Sequence, residues 1–511
     1  MKSAFGSHAL IRSALIVTGA TYVTYVTGLV ISMLAARGLG PADYGRYSYV
    51  VWLSGMVVVA CTNGLTTTGI KFVAECLGRD DGEAAARVYG LLRRYFMLST
   101  VVACLAFLVL ARFTLPDGWE GGIGLFAVVV LASGVAKAFY LLHSSVAKGY
   151  GNFGIEANTT NILGLVGLVA TIGLVVARRP LESYLELLVV LSICHALLTF
   201  VFIRRTAIRP AHGPIEAAMA RRLRIHLAWT VLLVLLATFS NRTVETFLLN
   251  RTAGAEAVGF FIIAATITRG GADLLVNGLT AVLIPAMAHS YGRGGTAGLN
   301  PILSNSVRYF LFMGLVLAGV GVFCAELAIR LLYGPEYAPV VNVFRAMVVI
   351  AGLTLMEGAF NALLTTADHQ RLRVILTVVA VTVSAVLAFA LVPRYGLSGA
   401  VAAHLIAKMV MFTTIVLTAT RTMQVRLPWR EIGRQFACAM VAAALAALVW
   451  WAGDGAWIGL VAAMVYAVAM VICSFLFKSW SAQDLEMLAQ LTTRFPRACW
   501  LLAALARLGV R

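Results

Sequence analysis

N-G-L-T at residues 63–66 returns unchanged at 277–280, 214 residues further along. The interval is a register. Sliding the chain by 214 lays A-R-G-L-G-P-A-D-Y-G-R-Y (36–47) on N-R-T-A-G-A-E-A-V-G-F-F (250–261), so that Arg37 meets Arg251, Gly40 meets Gly254 and Gly45 meets Gly259. Further on, Ile70 and Ala74 pair with Ile284 and Ala288 without a gap. About twelve of the 51 positions from Thr24 to Ala74 are identical, where this composition gives about four or five by chance. A shared apolar background does not place loop glycines and a polar tetrapeptide in one register. The two halves read as copies.

The medium of the copies follows from composition. Of 511 residues 61% are hydrophobic and 12% charged, with a mean hydropathy of +0.90. Runs of 18 or more residues with few charges recur, each long enough to cross the roughly 30 Å hydrocarbon layer as a helix. The alternation of an outer-membrane barrel is absent. Runs and polar breaks predict an all-α polytopic membrane protein of about fourteen spans, near 13–36, 46–70, 95–113, 122–147, 157–177, 184–203, 226–249, 256–290, 305–332, 339–367, 371–392, 397–420, 433–451 and 456–477. The first run extends from about Ala14 to Ala36 with no small-residue cleavage site, so a retained N-terminus is expected. The eight cysteines stand singly, without a C-x-x-C pair, as small buried residues and not disulfides or metal ligands.

A net charge of +18 invites a nucleic-acid partner, but the cations alternate by loop. With a cytoplasmic N-terminus, about 27 of the 40 Lys and Arg fall inside and about 8 outside (Arg37, Arg46, Arg112, Arg178, Arg179, Arg251, Arg330 and Arg394), the bias of the positive-inside rule. The charge is an orientation signal with some attraction to lipid headgroups, both termini face the cytoplasm, and no nucleic acid is implied. Six spans per copy is an even number, so the copies enter the membrane the same way and are related by an axis along its normal, as in parallel-repeat transporters. The expected organisation is two pseudo-symmetric six-helix bundles, 1–205 and 206–425, two additional helices within 426–478, and a cytoplasmic amphipathic tail, 479–511. In that tail Ser481 and Asp484 are spaced as a capping box, with Leu485, Leu488 and Leu491 on one face. The N-G-L-T pairs, Asn63–Gly64 and Asn277–Gly278, are candidates for helix bending at a gate; close helix packing through small residues is the alternative.

G-L-G-P-A-D-Y-G-R-Y-S (38–48), L-Y-G-P-E-Y-A-P (332–339) and V-P-R-Y-G-L-S-G-A-V-A-A (392–403) resemble segments of Wzx-type polysaccharide transporters, within the multidrug/oligosaccharidyl-lipid/polysaccharide exporter superfamily. The resemblance covers essentially the whole chain. It implies a V-shaped pair of bundles, no cofactor, and translocation of an undecaprenyl-diphosphate-linked oligosaccharide across a bacterial inner membrane for exopolysaccharide, capsule or O-antigen assembly. Membrane lipid, a polysaccharide polymerase and a chain-length regulator are the partners it suggests. The S-R-x-x-G-x-x-R-D opening of a lipid II flippase is not evident.

Charges at mid-span cost about 2.5–3.5 kcal/mol on insertion scales and so face a wet cavity or a partner. The interior set is Lys137, Arg242, Glu245, Arg269, Asp273, Arg345, Glu357 and Lys408. Arg242 and Glu245 lie three apart, Arg269 and Asp273 four apart, so local ion pairing is one reading. Repeat-equivalent positions in the first half are Gly28, Ile31, Gly55 and Val59, all uncharged. That asymmetry favours ligand handling in the second half: Arg242 and Arg269 as cationic contacts for diphosphate or acidic sugar, with Glu245 or Asp273 as ion-pair partner or coupling acid. Lys137 and Lys408, on spans 4 and 12 that are not equivalent, are each read alone as a further cationic contact or a snorkelling side chain, and Glu357 as a coupling acid or a hydrogen-bonded core glutamate. Arg345, near an outer helix end, is expected to snorkel. Spans 13 and 14, with no charge in their cores, are expected at the periphery, shielding a lipid-tail groove. Y-G-R-G-G-T-A-G (291–298) lacks the G-K-[ST] of a nucleotide loop, and neither a metal spacing nor a catalytic triad is legible. Two other functions compete: a multidrug cation exporter, which predicts an acidic lumen, and a polysaccharide polymerase or ligase, which needs a large outer loop.

Overall fold

The computed structural model describes residues 7–206, 208–238, 244–366, 370–423, 425, 427–453 and 455–480. Among them the elements are helices, with no strand, and ten helices are long and apolar enough to cross a membrane, eleven if a bent pair counts as one span. The chain is a multi-pass all-α membrane protein. Two of the ten are double-length. Tyr22–Thr62 has 41 residues, and at about 1.5 Å per residue it exceeds a single bilayer crossing twofold. It belongs to α1 (Ser7–Thr62), whose path breaks at Gly40, φ 72°, just before Pro41. Val374–Thr422, within α12 (Gln370–Met423), breaks likewise at Gly396, φ 53°, three residues after Pro393. Each therefore holds two expected spans. Gly254, the repeat partner of Gly40, also has a positive φ of 85°, so the two copies turn at the same place. Only glycine enters that region without strain.

The chain divides into two compact units, Met1–Gly259 and Phe260–Arg511. The first contains α1, α2 (Leu65–Gly78), α3 (Gly82–Leu110), α4 (Ile123–Gly149), α5 (Gly154–Val176), α6 (Leu181–Arg204), α7 (Ala217–Thr238) and α8 (Val244–Thr252). Small residues let these helices approach: Ser54 and Ser133 share a 2.8 Å hydrogen bond between α1 and α4, and a Cβ on the neighbouring Gly134 would lie 2.8 Å from Val57. Helices α7 and α8, which the repeat assigns to the second copy, are held here by polar contacts. Arg222 reaches Glu75 at 2.9 Å. Asn250 accepts from the Asp117 amide at 3.0 Å and donates to the Leu115 carbonyl at 2.9 Å.

The second unit contains most of α9 (Gly254–Leu332), with α10 (Val340–Leu353), α11 (Glu357–Thr366), α12, α13 (Trp429–Trp451) and α14 (Ala456–Leu476). Helices α9 and α10 cross at Gly314 and Gly352, where a Cβ on either glycine would strike the other's carbonyl oxygen. The C-terminal hairpin is part of this unit's core. Tyr466 of α14 fills the space beside Gly319 and donates to the Leu315 carbonyl at 2.9 Å, while Gln435 of α13 donates to the Arg308 carbonyl at 3.2 Å. Buried Ala442, Ala446, Ala462 and Ala463 make the close contact possible. The predicted tail helix lies in residues 481–511, outside the described residues.

Apolar side chains also cover the outside. Leu98, Val101, Val102, Leu105 and Val109 of α3 are exposed, as are Leu165 and Val169 of α5. A surface of this kind is stable against lipid tails, not water. Trp451 and Trp457, at the α13–α14 turn, are 88% and 68% exposed, the placement of interfacial anchors.

Candidate functional site

Span 10 is broken. Helices α10 and α11 meet at a 45° bend across Thr354–Met356, and Glu357 is the first residue of α11. A helix start suits a carboxylate, because unpaired amides and the helix dipole give it partial positive charge. Into this break comes Lys408 of α12: its Nζ lies 3.4 Å from Glu357 Oε2, and Asn361 Nδ2 donates to Oε1 at 3.4 Å. The Glu357 side chain is 14% exposed and that of Lys408 43%, so the lysine is the accessible member. Discontinuous helices of this kind form ion and substrate sites in transporters.

Arg269 and Asp273 of α9 form the expected i,i+4 pair, Nε to Oδ2 at 3.0 Å, with both side chains substantially exposed. Such a pair contributes only a few tenths of a kcal/mol, so either member can exchange its partner cheaply. Arg345 is held inside the unit: it donates to the Val322 carbonyl at 3.2 Å and its guanidinium lies 5.2 Å from the Trp450 ring. That is a structural placement.

In the first unit, Lys137 of α4 stands with Nζ 4.7 Å from the Tyr140 ring centroid, one turn away. Cation–π contact of this kind is worth about 0.5–2 kcal/mol, more when desolvated. Tyr140 hydrogen-bonds Thr160 of α5 at 2.7 Å and meets the His195 ring of α6 at 5.1 Å, so three helices meet at the ring that faces the lysine. Glu245 is fully buried in α8. Its sequence partner Arg242 lies outside the described residues.

Asn63 and Gly64 lie at a break in the helix. They separate α1 from α2, with φ of 41° and 80°. Thr67 and Thr68, the residues after N-G-L-T, both donate their hydroxyls to the Gly64 carbonyl at 3.0 Å. Asn277 and Gly278 fall within α9, with side chains outside the described residues.

The structure thus joins Glu357 to Lys408 and Arg269 to Asp273, and keeps Lys137 with aromatic partners. Sequence reasoning missed Asn361, Tyr140, Thr160 and His195. Asn361 and Tyr140 were available as i+4 and i+3 neighbours of a buried charge; Thr160 and His195 come from other helices and carry no local signal. Among the described residues no group of His, Cys, Asp and Glu could hold a metal. What the arrangement offers is exchangeable cations near carboxylates.

Solved structures share the fold. A lipid II flippase MurJ, in an inward closed conformation, superposes with a TM-score of 0.72 at 12% identity, covering 91% of this chain and 98% of that one. An inward-facing multidrug resistance MATE family transporter of the MOP superfamily gives 0.66 at 16% identity, covering 78% and 94%. An outward-facing MATE family transporter gives 0.57 at 17% identity, covering 81% and 95%. No curated protein matches the sequence. The family model described as polysaccharide biosynthesis protein matches residues 10–290, more than half of the chain. With that match, the repeat and the shared fold together, the chain belongs to the polysaccharide biosynthesis protein family.

Proposed function

We propose that this protein is a flippase that moves undecaprenyl-diphosphate-linked oligosaccharide repeat units across the bacterial inner membrane, with both termini in the cytoplasm. The observation that carries the reading is the Glu357–Lys408 pair at a broken span, with the half-exposed Arg269–Asp273 pair in the same unit. The diphosphate exchanges places with a carboxylate on these cations, and Glu357 is the candidate coupling acid. Guanidinium and ammonium suit phosphate, which a cation exporter would have no reason to attract. The expected transport units are two six-helix bundles, 1–205 and 206–425, with 426–478 and 479–511 as accessories. Family membership supports a role in polysaccharide assembly, with a polymerase and a chain-length regulator as downstream partners.

The fold shared with MATE transporters favours a second reading, multidrug export. One experiment separates them. A deletion strain should accumulate complete repeat units on lipid at the cytoplasmic face, restored by the wild-type gene. Drug sensitivity with normal glycan would support the exporter, and accumulation at the periplasmic face a polymerase.

A further inference from the structure

On the side that the charge rule gives to the cytoplasm, the first unit carries a cleft between the start of α3, the 205–216 connection and the start of α7. The connection is pinned there. Ala211 donates its amide to the Ala86 carbonyl at 2.9 Å, and its own carbonyl sits so close to Gly90 that any side chain at 90 would collide with it. Gly213, φ 153°, brings the backbone against Arg87, so that a Cβ at 213 would lie 3.2 Å from Arg87 Nε. The result is a 210 Å³ space lined by Arg87, Arg94 and Arg224, with Tyr95 and His212, and by no acidic residue. Arg87 and Arg94 are seven apart and so share one face of α3.

Three guanidiniums around one small space, Arg94 and Arg224 exposed and Arg87 partly buried, set up a positive potential that favours an anion. Their described partners offset it only in part. Arg87 pairs with Glu83 and donates to the Pro214 carbonyl at 3.3 Å; Arg224 donates Nε to the Ala220 carbonyl at 3.4 Å. Arg94 makes no ion pair among the described residues. The volume lies below the roughly 300–1,000 Å³ of sites for drug-sized ligands, which suits a small anion. Guanidinium geometry selects phosphate among small anions, because its paired donors match two oxygens.

We propose that this cleft binds a phosphate group, presented by an anionic phospholipid headgroup or as free phosphate. It is a site apart from the intramembrane charges and holds whether or not the transport reading does. Occupancy ties α3, the 205–216 connection and α7 together.

The test uses the full chain purified in detergent and follows its Tm with phosphatidylglycerol, with phosphatidylcholine, and with inorganic phosphate against chloride at matched ionic strength. Wild type and the control R179Q, which loses one exposed arginine elsewhere, should show a saturable rise with phosphatidylglycerol, and R94Q/R224Q should lose more than half of it. A rise with phosphatidylglycerol alone assigns the headgroup; a rise with inorganic phosphate as well assigns the free anion. No rise with either, or an equal rise in R94Q/R224Q, overturns the proposal. Should R94Q/R224Q fail to purify as a single species, R94K/R224K decides by the same criterion, because it keeps the charge and loses the paired donors.

Discussion

Gly45 and Gly259, equivalent positions of the 214-residue repeat, pack backbone to backbone: a Cβ on Gly259 would lie 3.2 Å from Gly45 Cα, and one on Gly45 would fall on the Ala255 carbonyl oxygen. Backbone cannot step aside as a side chain can. Gly45→Ala should therefore destabilise by about 1–3 kcal/mol, and Gly259→Ala less. The thermal midpoints of the two purified variants check the order; equal midpoints would mean the seam yields more easily than its geometry implies.

Removing Lys408 leaves Glu357 mostly buried without its cation. For a fully buried pair the loss is about 3–5 kcal/mol, and the exposure of Lys408 reduces it here. Lys408→Ala should lower export at least tenfold with the protein still inserted. Adding Glu357→Gln should recover stability and leave export impaired, since the pair is proposed to act on cargo. A double variant that exports normally would reduce the pair to a packing device.

Arg269→Ala separates ligand handling from ion pairing. Its half-exposed partner makes the pair worth only a few tenths of a kcal/mol, so the variant should insert and melt like wild type. Export should fall sharply, and Asp273→Asn should spare more of it. In vivo complementation alongside a membrane immunoblot measures both; unchanged export in Arg269→Ala would remove this arginine from the route.

Glu75 lies outside the membrane-spanning helices, and hydrogen bonding from Arg222 holds its carboxyl below the ordinary range, with Arg79 and Lys71 adding to the effect. A depressed folded pKa contributes stability above the unfolded value, near 4.3, and the contribution disappears as pH falls through the folded one. The Tm gap between wild type and Glu75→Gln should be open at pH 7 and close below about pH 4. Because both partners are partly exposed, raising salt should narrow it at pH 7.

Gly64 has φ 80°, and a Cβ there would lie 2.8 Å from Thr230 Cγ2. Gly64→Ala should cost about 1–2 kcal/mol from backbone strain alone, plus the contact. Thr230→Ser removes that methyl and should restore part of the loss, measured as Tm in a double-mutant cycle. Additive losses would place Thr230 outside the effect.

The helices were legible because a membrane leaves the backbone few options, and the turns at Gly40 and Gly254 because glycines recur at one register. Counting spans succeeded where polar breaks were strong and blurred around α7, whose Arg221, Arg222 and Arg224 interrupt its apolar run. The Glu357–Lys408 pair was beyond reach: the residues are 51 positions apart, on two different helices, and no local spacing links them. His195 was passed over because a single histidine without ligand spacing looks inert, and only the fold brings its ring to Tyr140. The packing of α13 and α14 was hidden for another reason. Alanine-rich stretches look the same from the sequence whether they face lipid or a neighbouring glycine.

The aromatic partner of Lys137 has one further effect. A ring face satisfies a cation through its quadrupole and claims none of its hydrogen-bond donors, so an incoming anion at Lys137 evicts nothing. At Arg269 and Lys408 the same anion must first outcompete a carboxylate. Under the proposed function, an anionic cargo group would therefore bind Lys137 without competition, and Lys408 or Arg269 only by substitution.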